Sequence, residues 1–264
     1  MHKDLWNGPV YHQLCRQERH FSVKPMHIFE NPYTNSTSAG TLASSLTARI
    51  KLAILRGDLA PCSKLRLDEL RAQFGVSLSP LREALSRLSR EGLIQVEDQR
   101  GYRVAPVSSH NLRELIRLRA EFECLALREA VKNGNLQWEG AVLSSLHQLT
   151  RIDRSRSSGI DNQEAWEVAH RNLHLQLMTA SDMPLLLQFC STLNDLVDRY
   201  RRIFLADNPA DPETQHEHEV IVESAVARDE EKTVDALRRH IERTGEKIMK
   251  GLHASIREDS DVPG

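Results

Sequence analysis

The stretch Leu67–Val104, LDELRAQFGVSLSPLREALSRLSREGLIQVEDQRGYRV, constrains the fold of this chain more than any other. Leu67, Leu70 and Phe74 fall on one face of a short helix. Gly75 supplies the turn after it, because glycine takes positive φ without steric cost. Ser77 or Ser79 is placed to cap a second helix, with Pro80 in its first turn, where a missing N–H costs nothing. In that helix Leu81, Ala84, Leu85 and Leu88 repeat at i, i+3, i+4 and i+7, while Arg82, Ser86, Arg87 and Arg90 lie off the stripe. Gly92 ends it, and Leu93–Glu97 and Tyr102–Val104 read as two short strands around the polar tip Asp98–Gly101. Two short helices with a glycine turn, then a basic hairpin, predict a winged helix-turn-helix whose second helix enters a DNA major groove. The competing reading is a plain helical hairpin with a solvated basic face.

Charge separates the two. Between Ala39 and Val107 there are eleven Lys/Arg against seven Asp/Glu, a surplus of four, in a chain whose net charge is −2. Ser108–Gly264 has twenty Lys/Arg against twenty-seven Asp/Glu. A basic module on an otherwise acidic protein suits phosphate contact at one end only.

The 264 residues have room for two domains, and few aromatics among 40% apolar residues suit helix more than sheet. No run approaches the roughly eighteen apolar residues of a membrane span, and MHKDLWNGPVYHQL has no apolar core of a secretory signal. Cys15, Cys62, Cys124 and Cys190 lie too far apart for a zinc or redox motif. A reduced protein of the cytoplasm, with no membrane partner, is the expectation.

In chain order, residues 1–38 are polar and aperiodic and read as a disordered extension, with Met26 a possible alternative start. From Thr41, Leu42, Leu46, Ile50, Ala53 and Ile54 form a helical stripe ending at Arg56-Gly57, which completes a winged domain over 39–107. Beyond Pro106 about six helical segments follow, at 109–133, 137–155, 163–181, 184–206, 212–228 and 230–254. Breaks at Asn133-Gly134, Ser157-Ser158-Gly159, Asp182-Met183-Pro184, Asn208-Pro209 and Arg228-Asp229 separate them. The expected fold is therefore mainly α: an N-terminal winged helix-turn-helix, then an all-helical bundle over 108–255 and a tail over 256–264.

Four histidines of the second domain carry chemistry. His170 and His174 share one helix face, His218 opens the apolar run HEVIVESAV, and His240 follows twenty-two residues later. Two ligands from one helix and one from each of two later helices close around a divalent ion inside a bundle, and imidazole suits Zn, Ni, Cu, Fe or Mn. Taken singly, each histidine is better explained as a surface or hydrogen-bonded residue. His216 stands near enough to His218 to be an alternative ligand, and His110, His147 and His253 read as surface residues.

The run ILRGDLAPCSKLRLDELRAQFGVSLSPLREALSRLSREGLIQVEDQRGYRV resembles the DNA-binding domain of the GntR regulators, with their G-V-S-x-x-P-[LV]-R-E-A-L, E-G-L and R-G-x-x-V. LIRLRAEFECLAL, with Arg119 and Glu123, and HLQLMTASDMPLL resemble the all-helical effector domain of the FadR branch, the FCD type. The resemblance covers about residues 41–250. Its Asp-x-x-x-His…His…His ligand pattern falls on His170, His174, His218 and His240, with His170 in place of the usual aspartate. Leu78 replaces the arginine common after G-V-S, and Cys62 replaces the glycine of a Pro-Gly turn. The histidine at the aspartate position, with DLVDRYRR, looks most like the carbon-starvation-induced (CsiR-like) regulators of glutarate and γ-aminobutyrate catabolism.

The resemblance implies a homodimeric repressor of a catabolic operon, bound to a palindromic double-stranded operator and released by a small carboxylate at the metal site. Arg66, Ser77, Ser79, Arg82, Ser86 and Arg87 are the candidates for groove and phosphate contact, with Gln99, Arg100 and Gly101 at the wing tip. Zinc is the first expectation for the ion, with nickel, manganese or iron as alternatives, and Arg119 and Arg201 are candidates for the carboxylate. Two rivals stay open: a metal-responsive regulator in which the ion is the signal, and a metal-dependent enzyme. Against the enzyme, no glutamate stands inside the H-x-x-x-H pair as in H-E-x-x-H.

Overall fold

A computed structural model describes residues 42–97, 101–152, 160–205 and 212–258. The expected N-terminal extension and the wing-tip residues Gln99 and Arg100 lie outside these, as does most of the expected tail. The chain divides into two compact units: residues through Ser109 together with Asp198–Ile203, and the remainder from His110.

The first unit opens with α1 (Leu42–Leu55), which buries Leu46, Ile50, Ala53 and Ile54 as its stripe predicts. Leu42 departs from the stripe: it is 62% exposed, and Ala43 takes the buried position at that end. Then come β1 (Lys64–Leu65), α2 (Leu67–Phe74), α3 (Leu78–Arg90), β2 (Ile94–Glu97) and β3 (Gly101–Val104). Gly75 takes φ 65 and its N–H bonds the Arg71 carbonyl, closing α2. All four apolar residues of the α3 stripe, Leu81, Ala84, Leu85 and Leu88, are fully buried. At roughly 2 kcal/mol per buried leucine, this face anchors the helix and fixes which residues point outward.

Helix α3 starts at the first of the two capping candidates, with Pro80 in its first turn. Ser77 occupies the N-cap position but makes no side-chain cap bond, and Ser79 lies inside the helix. The sheet is also larger than the hairpin expected, since β1 pairs antiparallel with β3 to give the order β1-β3-β2. Cys62 adopts φ 64, so the turn keeps the left-handed backbone although it lacks glycine. Its N–H bonds the Val104 carbonyl at 3.1 Å, and Arg103 donates to its carbonyl oxygen. Residues 105–108 are bound by the Asp198–Ile203 segment: Arg199 donates to the Ala105 and Pro106 carbonyls at 3.0 and 2.8 Å, and Ser108 N–H to Tyr200 Oη at 2.9 Å.

Six helices and a 3-10 turn follow: α4 (Ser109–Asn133), α5 (Leu136–Arg151), α6 (Ile160–Met178), the turn Thr179–Ser181, α7 (Pro184–Phe204), α8 (Pro212–Val226) and α9 (Glu230–Glu258); apart from Ser109 and Asp198–Ile203 they belong to the second unit. The six segments read from the sequence are thus six helices, the last running past residue 254. Asn135 caps α5, its side chain accepting from Trp138 N at 2.9 Å. Leu127 of α4, Val142 of α5, Leu173 of α6, Val222 of α8 and Ile241 of α9 meet in one core with no exposed surface. No described helix is long and apolar enough to cross a membrane.

Candidate functional site

The outward face of α3 follows from its buried one. Ser79, Arg82 and Ser86, at i, i+3 and i+7, are exposed, as is Ser77 just before the helix. Arg90 continues this face one turn on and is exposed too; its spacing from Ser86 placed it there, though it was not among the expected contacts. Arg87 is held differently. Its guanidinium bonds Ser44 Oγ at 3.0 Å and Glu83 at 2.5 Å, which commits it to α1 and to a neighbour on its own helix. Arg66 lies exposed beside Glu69 at 3.0 Å. Gly101 opens β3 with φ 94, a value suited to glycine. Leu78 is half-buried at the first position of α3, so the arginine common there in the resembled family is exchanged for an apolar contact.

Within the second unit the histidines converge. His170 and His174 sit one turn apart on α6 with ring centroids 4.7 Å apart; His218 comes from α8 and His240 from α9, 4.6 Å apart. Across the pairs, His170–His218 is 5.1 Å and His174–His240 is 5.2 Å. Each ring is at most 6% exposed, and one nitrogen from each lies within 4.8 Å of the others. His216, the alternative ligand, is elsewhere: its side chain is 73% exposed and pairs with Glu219.

Four imidazoles buried together repel one another if charged. Burial first, then the nearby His174 and Arg119, hold His240 well below the usual histidine range, which favours its neutral ring. Neutral imidazole is the ligating form. A tetrahedral four-nitrogen site around zinc has nitrogens about 3.4 Å apart, from Zn–N bonds of about 2.0–2.1 Å. The observed spread is wider by little more than an ångström, within reach of side-chain rotation, and all four donors are of the type that suits zinc, nickel or copper. The residues therefore fit a divalent ion.

Charged groups stand directly behind the rings. Glu123, fully buried, accepts from Arg119 Nε at 2.5 Å and from Asn194 Nδ2 at 2.8 Å, and its other oxygen faces His174 Nδ1 at 3.4 Å. Burial opposes its ionisation, but the Arg119 charge and the His174 contact outweigh that and lower its pKa to about 2. Arg119 Nη2 also approaches His174 Nδ1 at 3.4 Å. Behind His240, Glu217 meets Nδ1 at 2.8 Å. Trp166 stacks on His170, centroids 4.8 Å apart and planes within 14°. Of the two expected effector arginines, Arg119 stands at the histidines, whereas Arg201 is ion-paired with Asp198 inside the first unit. Asn194 and Glu217 escaped sequence reading because their contacts cross between helices and leave no periodic signal.

Residues 42–104 match the bacterial regulatory proteins of the gntR family, and residues 114–243 match the FCD domain. The chain is 36% identical over 203 residues to BphR, an uncharacterised HTH-type transcriptional regulator of Paraburkholderia xenovorans, covering 76% of this chain and 83% of that one. It is 32% identical over 196 residues to the HTH-type transcriptional repressor GlaR of Escherichia coli, covering 73% and 89%. The fold is shared with the solved structure of Escherichia coli McbR/YncC at TM-score 0.63 and 23% identity, over 84% of this chain and all of that one. The protein is a GntR-family transcription regulator, with a winged helix-turn-helix followed by a helical FCD domain.

Proposed function

We propose that this protein is a cytoplasmic, homodimeric repressor of a catabolic operon. It binds a pseudo-palindromic operator and releases it when a small carboxylate reaches a divalent ion held by His170, His174, His218 and His240. The observation that carries this reading is the convergence of four buried imidazoles from three helices, backed by charged residues that hold the rings. Zinc is the first choice of ion, with nickel, manganese or iron as alternatives. Bound there, the ion supplies a positive centre on which a carboxylate oxygen can lie. Of the two candidate arginines, Arg119 stands beside that centre, 3.4 Å from a ligand ring and paired with Glu123, whereas Arg201 is paired with Asp198. Kinship with a transcriptional repressor supports repression over activation.

Burial of all four rings favours an ion retained as a cofactor over one that comes and goes as a signal. On the DNA side, Ser77, Ser79, Arg82 and Ser86 offer the groove-facing set and the wing tip at Gly101 a backbone contact. A ligand shifts DNA binding only through different affinities for two states of the protein, and this reading places that difference at the ion.

The test is metal content by mass spectrometry beside operator titrations with and without dicarboxylates, on wild type and His174→Ala. We expect the variant to lose its metal and its response to effector while still binding operator. A wild type that purifies without metal and takes up no Zn, Ni or Mn removes the metal site. Operator release by effector from His174→Ala removes its role in sensing. Micromolar, reversible metal dependence of operator binding without effector favours the metal-responsive reading.

A further inference from the structure

Glu217 lies outside the set of four histidines and outside every motif quoted above. It sits on α8, in the residue before His218, yet its carboxylate reaches across to α9, where Oε2 lies 2.8 Å from His240 Nδ1. Its other oxygen is 2.5 Å from Arg243 Nε, one turn beyond His240. Arg243 is fixed in turn by Glu213 and by Thr214 Oγ1 at 3.2 Å. His240 itself is 1% exposed, so its ring has no water to turn toward.

A carboxylate accepts hydrogen bonds and donates none. The ring nitrogen that faces it must therefore carry the proton, which leaves the lone pair on Nε2, the nitrogen free to turn toward the other three rings. The contrast with His174 sharpens this. There Nδ1 faces a guanidinium donor and a carboxylate acceptor, both at 3.4 Å, and neither fixes the tautomer. At His240 the short contact to the Glu217 carboxylate sets which nitrogen carries the proton.

We infer that Glu217 is the positioning residue of the histidine centre. Its carboxylate holds His240 in the Nδ1–H tautomer, aims Nε2 at the ion and raises the basicity of that nitrogen. The inference rests on the reading of the four histidines as a metal site. It makes Glu217 a determinant of metal affinity that the ligand pattern alone does not contain. Outer carboxylates of this kind contribute about 10–100-fold to metal affinity.

The experiment is a zinc competition titration against a chromophoric chelator, on the full chain. Wild type is compared with Glu217→Ala, Glu217→Gln and Glu213→Gln, the last removing the carboxylate that shares Arg243 without touching His240. Each is used only where its helical spectrum and metal-free unfolding midpoint match wild type, and Glu217→Gln serves alone if the alanine variant does not fold. We expect about 10–100-fold weaker zinc binding in Glu217→Ala. Glu217→Gln, whose amide oxygen still accepts from Nδ1–H, should recover part of the loss, and Glu213→Gln should stay within about twofold of wild type. Glu217→Ala within twofold of wild type overturns the inference, and so does a Glu217→Gln no better than alanine. Equal loss in Glu213→Gln overturns it too, because helix packing would then be the cause. A wild type that binds no zinc removes the metal-site reading, and the role of Glu217 with it.

Discussion

Arg82 shows how a residue's role follows from what its neighbours bury. Leu81 and Leu85 are fully buried on either side of it in the helix, so its side chain points outward with Ser79 and Ser86. Arg87, by contrast, spends its guanidinium on Ser44 and Glu83. If Arg82 reads a base edge, Arg82→Ala should weaken operator binding by about 1–3 kcal/mol and relax preference at one position, with the fold intact. A gel-shift titration of folded variant that matches wild type removes Arg82 from the contact set. Two cysteines illustrate the opposite fate. Burial pushes the Cys190 thiol up to about 12 and the Cys124 thiol up to about 11. Raised values keep both protonated at pH 8, and the thiolate is the reactive form. Iodoacetamide should therefore leave both unmodified in the native protein and label both in urea, as read by peptide mass mapping. Native labelling at the denatured rate would show that their surroundings open readily.

At the scale of elements, the join between α4 and α5 is the tightest test of packing. A Cβ on Gly134 would stand 2.3 Å from the Trp138 ring and 2.8 Å from the Ala130 carbonyl oxygen. The ring cannot swing away without cost: Trp138 is 5% exposed, its indole N–H bonds the Gln176 carbonyl at 3.2 Å, and Arg228 lies over its face at 5.2 Å. Gly134→Ala should destabilise by about 1–3 kcal/mol, as overpacking of a core does. A lower urea midpoint at unchanged m-value is the expected observation, and an unchanged midpoint would mean that the indole has room to move. The sequence signalled this join through Asn133-Gly134, a local turn signal, but not the indole behind it. The same division holds elsewhere. The α3 stripe was legible because four apolar residues repeat within one helix, and the His170–His174 pair because i and i+4 share a face. Strand β1 was not, since two residues carry no period and Arg103, the partner of Lys64, lies 39 positions on. Leu42 misled because periodicity assigns a face but not where the core ends along the helix. Glu217 and Asn194 act across helices, and only tertiary packing brings them to the rings. The proposed ligand set gained from a family pattern, since spacing alone left His216 as an alternative.

At the scale of the whole molecule, the proposed function assigns each chain's outward α3 face and wing to one half of a two-fold operator. Its acidic remainder, with seven more Asp/Glu than Lys/Arg from Ser108 onward, adds no attraction for phosphate. A single copy therefore has a small electrostatic hold on DNA, because non-specific affinity rises with the number of phosphates neutralised. Two copies joined by a two-fold axis would double that number and match the two-fold operator proposed above. We expect sedimentation velocity at micromolar protein, without DNA, to give about twice the chain mass of 30.1 kDa. A full palindrome should bind far more tightly than an isolated half-site. It should also lose affinity more steeply with salt, because more counterions leave when both halves are occupied. A 30.1 kDa species at micromolar concentration, binding half-sites and full sites equally well with the same salt slope, would show that the chain acts as a monomer.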